Sequence, residues 1–134
     1  MPRGFLDTSV VVRYLTNDPP EMAARAARII DNEAELVLTD GILGEAAYVL
    51  LKRYGVPRAM VVDNLIALVR KRNVAVWRVE KDIAIQALQL CRPSGRVSFA
   101  DALLWSIARV TDDAIVYSFD KRFPSSDIEV RQGL

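Results

Sequence analysis

The sequence contains no histidine among its 134 residues, and it has a single cysteine. Chemistry that depends on an imidazole base, such as a serine-type catalytic triad or a histidine-based ribonuclease mechanism, is therefore excluded. The lone thiol, Cys91, cannot form an internal disulfide, and the several cysteine and histidine ligands of a zinc cluster are missing. The chemistry that remains for this chain is that of carboxylates and metal ions.

Long hydrophobic runs are also missing. No apolar segment approaches the roughly 20 residues that a membrane-spanning helix needs, and residues 1–4 lack the apolar stretch of a secretory signal. With 51% hydrophobic and 26% charged residues, the composition is that of a globular protein. We expect a single domain over residues 1–134, without membrane contact and located in the cytoplasm, because this length suits one hydrophobic core and not two.

The sequence has no marked excess of positive charge, which nucleic-acid-binding domains often carry. Its 18 basic residues face 17 acidic ones, for a net charge of +1. Four acids held around a metal ion would leave 13 acids against the 18 bases. That balance permits a polyanionic partner without identifying one.

Short apolar segments alternate along the chain with amphipathic helical segments. Strands are predicted from Gly4 and at residues 36–38, 74–77, 115–118 and 127–131. Apolar spacing and capping residues predict helices at residues 10–15, 20–32, 42–54, 57–72, 81–91 and 98–112. Such alternation requires crossover connections and hence parallel strands. The predicted fold class is a three-layer α/β/α sandwich with a mostly parallel four- to five-stranded sheet.

Two aspartates follow predicted strands. Asp7 ends the first strand and precedes Thr8 and Ser9, at the kind of edge where open α/β sheets bind ligands. Its carboxylate can hold a cation, and it can equally cap the following helix. Asp120 lies just past the fourth strand, two residues after Ser118, and a turn residue is its simplest interpretation. If those strands are parallel neighbours, the two carboxylates meet, and a metal ion or a shared proton must lie between them.

Two further acids lie in predicted helices. Asp101 follows Ser98 by three residues, which is the form of a capping box, and the same position places its carboxylate at a helix start facing the sheet edge. Glu45 falls nearly opposite the apolar face of its helix at ~100° per residue. A solvated glutamate is its default interpretation, and an orientation toward the sheet edge is the alternative. Trp105 is predicted to lie in the core rather than to stack on a base.

Four short segments together resemble the PIN-domain ribonucleases, and among them the VapC toxins of toxin–antitoxin pairs. These segments are Phe5-Leu6-Asp7-Thr8-Ser9, Leu43-Gly44-Glu45-Ala46-Ala47-Tyr48-Val49-Leu50, Phe99-Ala100-Asp101-Ala102 and Ser118-Phe119-Asp120-Lys121-Arg122-Phe123. The resemblance extends in order over essentially the whole chain. It departs at Ser118, where the family more often has threonine, although the hydroxyl is kept.

The resemblance implies a catalytic acidic quartet around one or two Mg²⁺ or Mn²⁺ ions, formed by Asp7, Glu45, Asp101 and Asp120. The three aspartates are then the expected metal ligands, and Glu45 orients or deprotonates the attacking water. The expected supporting hydroxyls are those of Ser9 and Ser118. The implied activity is endonucleolytic cleavage of RNA. The implied partners are the RNA substrate, a cognate antitoxin protein and a second copy of the chain.

Other classes of protein also have an aspartate after their first strand. A phosphotransferase of the haloacid dehalogenase kind needs a second aspartate two residues later, where this chain has Ser9. A receiver domain needs an acidic pair before the helix, which this chain lacks as well. The residues leave open a PIN-like domain that no longer cuts and serves as an RNA-binding or partner-binding module.

Overall fold

The computed structural model describes residues 2–32 and 34–134 of the chain. The strands are β1 (Gly4–Phe5), β2 (Leu36–Leu38), β3 (Val74–Val76), β4 (Ile115–Tyr117) and β5 (Glu129–Arg131). The helices are α1 (Thr8–Thr16), α2 (Pro20–Ile30), α3 (Asp40–Lys52), α4 (Arg58–Arg70), α5 (Lys81–Cys91) and α6 (Phe99–Arg109). Every predicted strand and helix is present, with ends that differ from the prediction by up to three residues.

All strand pairs are parallel, as the alternation of elements predicts. β1, β2 and β3 form a three-stranded sheet in that order, with Phe5 opposite Val37 and Val37 opposite Ala75. β4 and β5 form a second sheet, with Val116 opposite Val130. The predicted α/β class is confirmed, but the strands are divided three and two instead of forming one sheet. β1 has only two residues and therefore offers few backbone groups to a second neighbour.

One face of the three-stranded sheet packs on the helices. Side chains two apart along a strand point to the same face. The residues on this face belong to the main hydrophobic core together with leucines and valines of α3 and α4; they are Leu6, Leu36, Leu38, Val74 and Val76. Their burial explains why strands of two or three residues are formed at all.

The opposite face of this sheet carries Phe5, Val37, Ala75 and, just beyond β3, Trp77. Val37 is buried, whereas Phe5 is 57% exposed and Trp77 is 40% exposed. The rings of Phe5 and Trp77 meet edge to face, with 5.6 Å between their centroids. The carboxyl-terminal end of this face is therefore an aromatic surface that is open to solvent.

A smaller core joins α6 to the second sheet. It is formed by Trp105, Ala108, Val116 and Phe123. The indole N–H of Trp105 donates to the carbonyl oxygen of Ser126 at 2.9 Å. Trp105 is therefore a core residue, as predicted. Within the described residues, none of the helices has both the length and the apolar character needed to cross a bilayer.

The turn between α2 and β2 is held by Asn73, the residue before β3. Its side-chain amide donates to the carbonyl oxygens of Ile30, Asn32 and Ala34, at 3.1, 2.9 and 3.1 Å. The amide has two hydrogens, so two of these carbonyls share one of them. The backbone carbonyl of Asn73 also accepts from the N–H of Leu36 at 2.8 Å. This one residue thus ties the end of α2 to the start of two strands.

We expect Asn73→Asp to destabilise the fold with almost no change in side-chain size. The substitution replaces the donor nitrogen with a carboxylate oxygen, which faces carbonyl oxygens that can only accept. The free energy of unfolding should fall by about 1–3 kcal/mol in urea denaturation. Asn64→Asp, at a half-buried position of α4, is the matched control. Equal stability of the Asn73 variant and the parent chain would contradict this assignment.

Candidate functional site

Asp7 lies between β1 and α1 and caps the helix. Its Oδ2 accepts from the Ser9 backbone N–H at 3.2 Å and from the Ser9 hydroxyl at 2.7 Å. Both bonds use the same oxygen, so Oδ1 takes part in neither, and the side chain is exposed. Capping is therefore confirmed for Asp7. It leaves a second carboxylate oxygen for another partner.

The Ser9 hydroxyl, followed by the Ser9 backbone N–H, lowers the pKa of Asp7 below its ordinary value. Because the folded pKa is the lower one, this interaction stabilises the fold above the ordinary aspartate pKa and is lost as the pH falls through the lowered value. Asp7 therefore stays ionised into more acidic solution than a free aspartate. The ionised carboxylate is the form that binds a cation.

Thr8 lies between these two residues and is buried. Its hydroxyl oxygen has no hydrogen-bond partner among the described residues, although buried hydroxyls nearly always have one. This hydroxyl lies directly beside Asp7, at the start of α1. Sequence reasoning did not single out Thr8, because its burial is visible only in three dimensions.

Asp40 is a further acid on the same sheet edge as Asp7. The parallel register places Phe5 opposite Val37, so two residues further on Asp7 stands level with Thr39. Asp40 follows at once and is exposed, while the hydroxyl of Thr39 caps α3. The position of Asp40 beside Asp7 depends on the pairing of β1 with β2, which local sequence does not specify.

Glu45 and Asp101 lie on helices that contact each other. Gly44 on α3 faces Phe99 on α6 so closely that a Cβ at position 44 would lie 3.4 Å from the ring. Glu45 and Asp101 each lie within two residues of this contact. Glu45 is exposed, as the helical wheel predicts, and Asp101 is half-buried. The packing of α3 on α6 therefore brings the two acidic segments near each other.

Asp101 is the third residue of α6, and its backbone N–H donates to the Oγ of Ser98 at 3.1 Å. The capping interpretation of Ser98 is confirmed. Burial raises the pKa of the nearby Cys91 thiol to about 11, a rise that Arg58 opposes and that the charge of Asp101 increases. The Cys91 thiol is therefore protonated at neutral pH, and it is not a candidate nucleophile.

Asp120 is a turn residue in the loop after β4. Its Oδ1 accepts from the N–H of Arg122 at 2.8 Å, and its own N–H donates to the Oγ of Ser118 at 3.1 Å. In the described residues β4 pairs with β5 and β1 pairs with β2. Backbone pairing therefore does not make β1 and β4 the neighbours that would carry Asp120 to Asp7.

Ser9 hydrogen-bonds the Asp7 carboxylate, and the Oγ of Ser118 accepts from the Asp120 backbone N–H. α3 packs on α6 beside Glu45 and Asp101. In the part of the chain that is described, no three acidic or cysteine side chains lie close enough to enclose a metal ion. Mg²⁺ is usually held by one or two carboxylates, several waters and substrate phosphates, so an enclosing cage is not required. The atoms available as metal ligands are carboxylate and hydroxyl oxygens, which suit Mg²⁺ and Mn²⁺. The donor chemistry fits a divalent ion.

Residues 4–128 match the family of the PIN domain. The chain belongs to the PIN domain family. PIN domains have a three-layer α/β/α fold and are generally nucleases, which bind nucleic acid and typically use divalent metal ions. The matched range includes all four acids of the predicted quartet. A comparison with curated proteins gives no significant match.

Ser9→Ala should raise the pKa of Asp7 toward the ordinary aspartate value, because the Ser9 hydroxyl is the largest cause of its depression. The backbone bond from residue 9 remains, so the rise should be partial. Titration of the Asp7 side-chain carbon by NMR measures it directly. Ser9→Thr keeps a hydroxyl and serves as the control. An unchanged Asp7 pKa in the alanine variant would show that the hydrogen bond is not made in solution.

Proposed function

We propose that this chain is a single PIN nuclease domain over residues 1–134 that cleaves RNA endonucleolytically with Mg²⁺ or Mn²⁺. We further propose that it is a VapC-type toxin, acting in the cytoplasm as half of a toxin–antitoxin pair. The observation that carries the nuclease proposal is the family match over residues 4–128, which includes the acids at positions 7, 45, 101 and 120.

In this proposal Asp7 and Asp101 are the principal metal ligands, and Asp120 assists the same ion or a second one. Bound there, the ion would lower the pKa of one water molecule and offset negative charge on the phosphoryl oxygens. Asp7 is suited to this part because the Ser9 hydrogen bonds use its Oδ2 alone and leave Oδ1 for an ion. Glu45 orients the attacking water or accepts its proton. None of these parts requires histidine.

Basic side chains near the acids would contact the phosphate backbone of the substrate. Lys121 and Arg122 are exposed and follow Asp120 directly. The hydrogen bond from the Arg122 backbone N–H to the Asp120 carboxylate fixes this turn. Arg13, half-buried in the last turn of α1, is a further candidate. Such contacts supply affinity for any sequence and leave the choice of RNA to other residues.

An apolar cavity of about 360 Å³ supports the proposed antitoxin partner. It opens between α3, α4 and the segment before α6, and its lining includes Leu51, Val62 and Phe99. Lys52 and Arg58 lie at the same cavity and supply positive charge. An antitoxin segment with an apolar anchor residue and nearby acidic residues would fit this combination.

A row of apolar side chains on α6 supports the proposed homodimer. Leu104 and Ile107 on α6, and Val110 directly after its last residue, are exposed at a spacing of three residues, so they lie along one side of the helix and its C-cap. A second copy of the chain would cover this row and remove it from water.

The nuclease proposal is tested by Asp7→Asn, with Asp82→Asn, an exposed acid at the start of α5, as the matched control. Loss of supporting residues around metal ligands typically lowers affinity or activity about 10- to 100-fold, so loss of a direct ligand should lower RNA cleavage at least about 100-fold. The assay follows cleavage of RNA with added Mn²⁺, and calorimetry of Mn²⁺ binding gives a second readout. Unchanged cleavage by the Asp7 variant would contradict the mechanism. RNA binding without any cleavage by the parent chain would favour the non-catalytic alternative.

The homodimer is tested by Ile107→Glu, which places a charge in the centre of the α6 row. The parent chain should elute as a dimer, and the variant as a monomer, when their masses are measured by light scattering. Met22→Glu changes an exposed apolar residue on α2 and should leave the mass unchanged. A monomeric parent chain, or an Ile107 variant that stays dimeric, would contradict this interface.

A further inference from the structure

The exposed aromatic pair of Phe5 and Trp77 has a defined geometry. The guanidinium of Arg78 lies over the Trp77 ring at 5.1 Å from its centroid, while Phe5 meets the ring edge to face. Arg78 adopts a left-handed backbone conformation with φ of 58°, which non-glycine residues seldom take. Val76 and Val79 form a bridge around it, so the turn that presents Trp77 and Arg78 is closed by the backbone.

A groove of about 440 Å³ leads away from this pair along the sheet. Arg3 and Arg72 line the end at which the strands begin, Trp77 and Arg78 line the other end, and Ala75 lies between. Among the described residues that line it, the only acid is Glu35, which forms an ion pair with Arg3 at 3.5 Å. Arg72 and Arg78 therefore give the groove a net positive charge.

The groove ends beside the proposed catalytic edge. Phe5 precedes Asp7 by two residues. Trp77 follows β3 directly, and its backbone N–H donates to the carbonyl oxygen of Leu38 at 2.8 Å. Both rings therefore stand at the carboxyl-terminal edge of the sheet, where Asp7 and Asp40 also lie. A polymer bound along the groove would pass from the arginines to the aromatic pair and on to these acids.

We propose that this groove binds single-stranded RNA, with an unpaired base stacked on Trp77 and Phe5 and the phosphates held by Arg72 and Arg78. An aromatic platform within a positively charged groove is the combination by which proteins bind single strands without reading their sequence. The inference rests on the proposed function for the choice of RNA as the polyanion. It adds a positioning surface that delivers the strand to Asp7.

Fluorescence anisotropy of a labelled single-stranded RNA oligonucleotide, in EDTA so that no cleavage occurs, measures the affinity of the full chain. Trp77→Ala should weaken binding roughly 5- to 150-fold, which corresponds to one lost stacking partner. Trp77→Phe keeps an aromatic ring and should restore most of the affinity. Arg78→Ala should weaken binding and flatten its dependence on salt concentration.

Two matched controls should bind like the parent chain. They are Tyr54→Ala, an exposed aromatic two residues past the end of α3, and Arg28→Ala, an exposed arginine on α2. Trp105→Phe leaves Trp77 as the only tryptophan, and RNA should quench its fluorescence. Any one of four results would overturn the proposal: an affinity unchanged by Trp77→Ala, Trp77 fluorescence that RNA does not quench, equal affinity for duplex RNA, or no RNA binding at all. The proposal would also be overturned if acrylamide quenched Trp77 fluorescence less as the protein concentration rose, because a second copy of the chain would then cover this face.

The cleavage assay separates this proposal from the nuclease assignment. If cleavage requires Asp7 but RNA binding does not depend on Trp77, the stacking proposal is wrong and the nuclease proposal stands. If RNA binding depends on Trp77 but the chain does not cleave RNA with Mn²⁺, the stacking proposal stands and the nuclease proposal is wrong.

Discussion

The burial of one face of three very short parallel strands is the constraint on which the structure depends. Strands of two or three residues form few ladder hydrogen bonds, and they are held because Leu6, Leu38 and Val76 pack into the helical core. A shift of one residue would turn these side chains to solvent, so the register is strongly specified. The same register determines that Asp7 and Trp77 reach the carboxyl-terminal edge. Hydrophobic packing thus positions the polar and aromatic residues proposed to act on RNA.

Much of this architecture was predictable from local sequence. Apolar spacing located β2 and α5 at their observed residues, because a fully apolar triplet and an amphipathic helix with a clear stop each have one favourable solution. The cap at Ser98, the exposure of Glu45 and the burial of Trp105 also followed from short-range patterns. These features depend on residues within one turn of helix or one strand. The sequence segments around the acids were enough to indicate the PIN family, to which the chain belongs.

What sequence could not supply is the set of relations between distant segments. Strand pairing determines the division into two sheets, the level position of Asp7 and Thr39, and the contact of Phe5 with Trp77. The acids have local roles, since Asp7 caps a helix and Asp120 closes a turn, and each local role alone explains the residue at its position.

The central claim is that acids from separate parts of the chain share one divalent ion. Crystals of the protein grown with saturating Mn²⁺, examined by anomalous diffraction at the manganese edge, test it most directly. The account predicts a manganese peak bonded to a carboxylate oxygen of Asp7 and to one of Asp101 or Asp120. No manganese at Asp7, or manganese bound only at acids elsewhere on the surface, would contradict it.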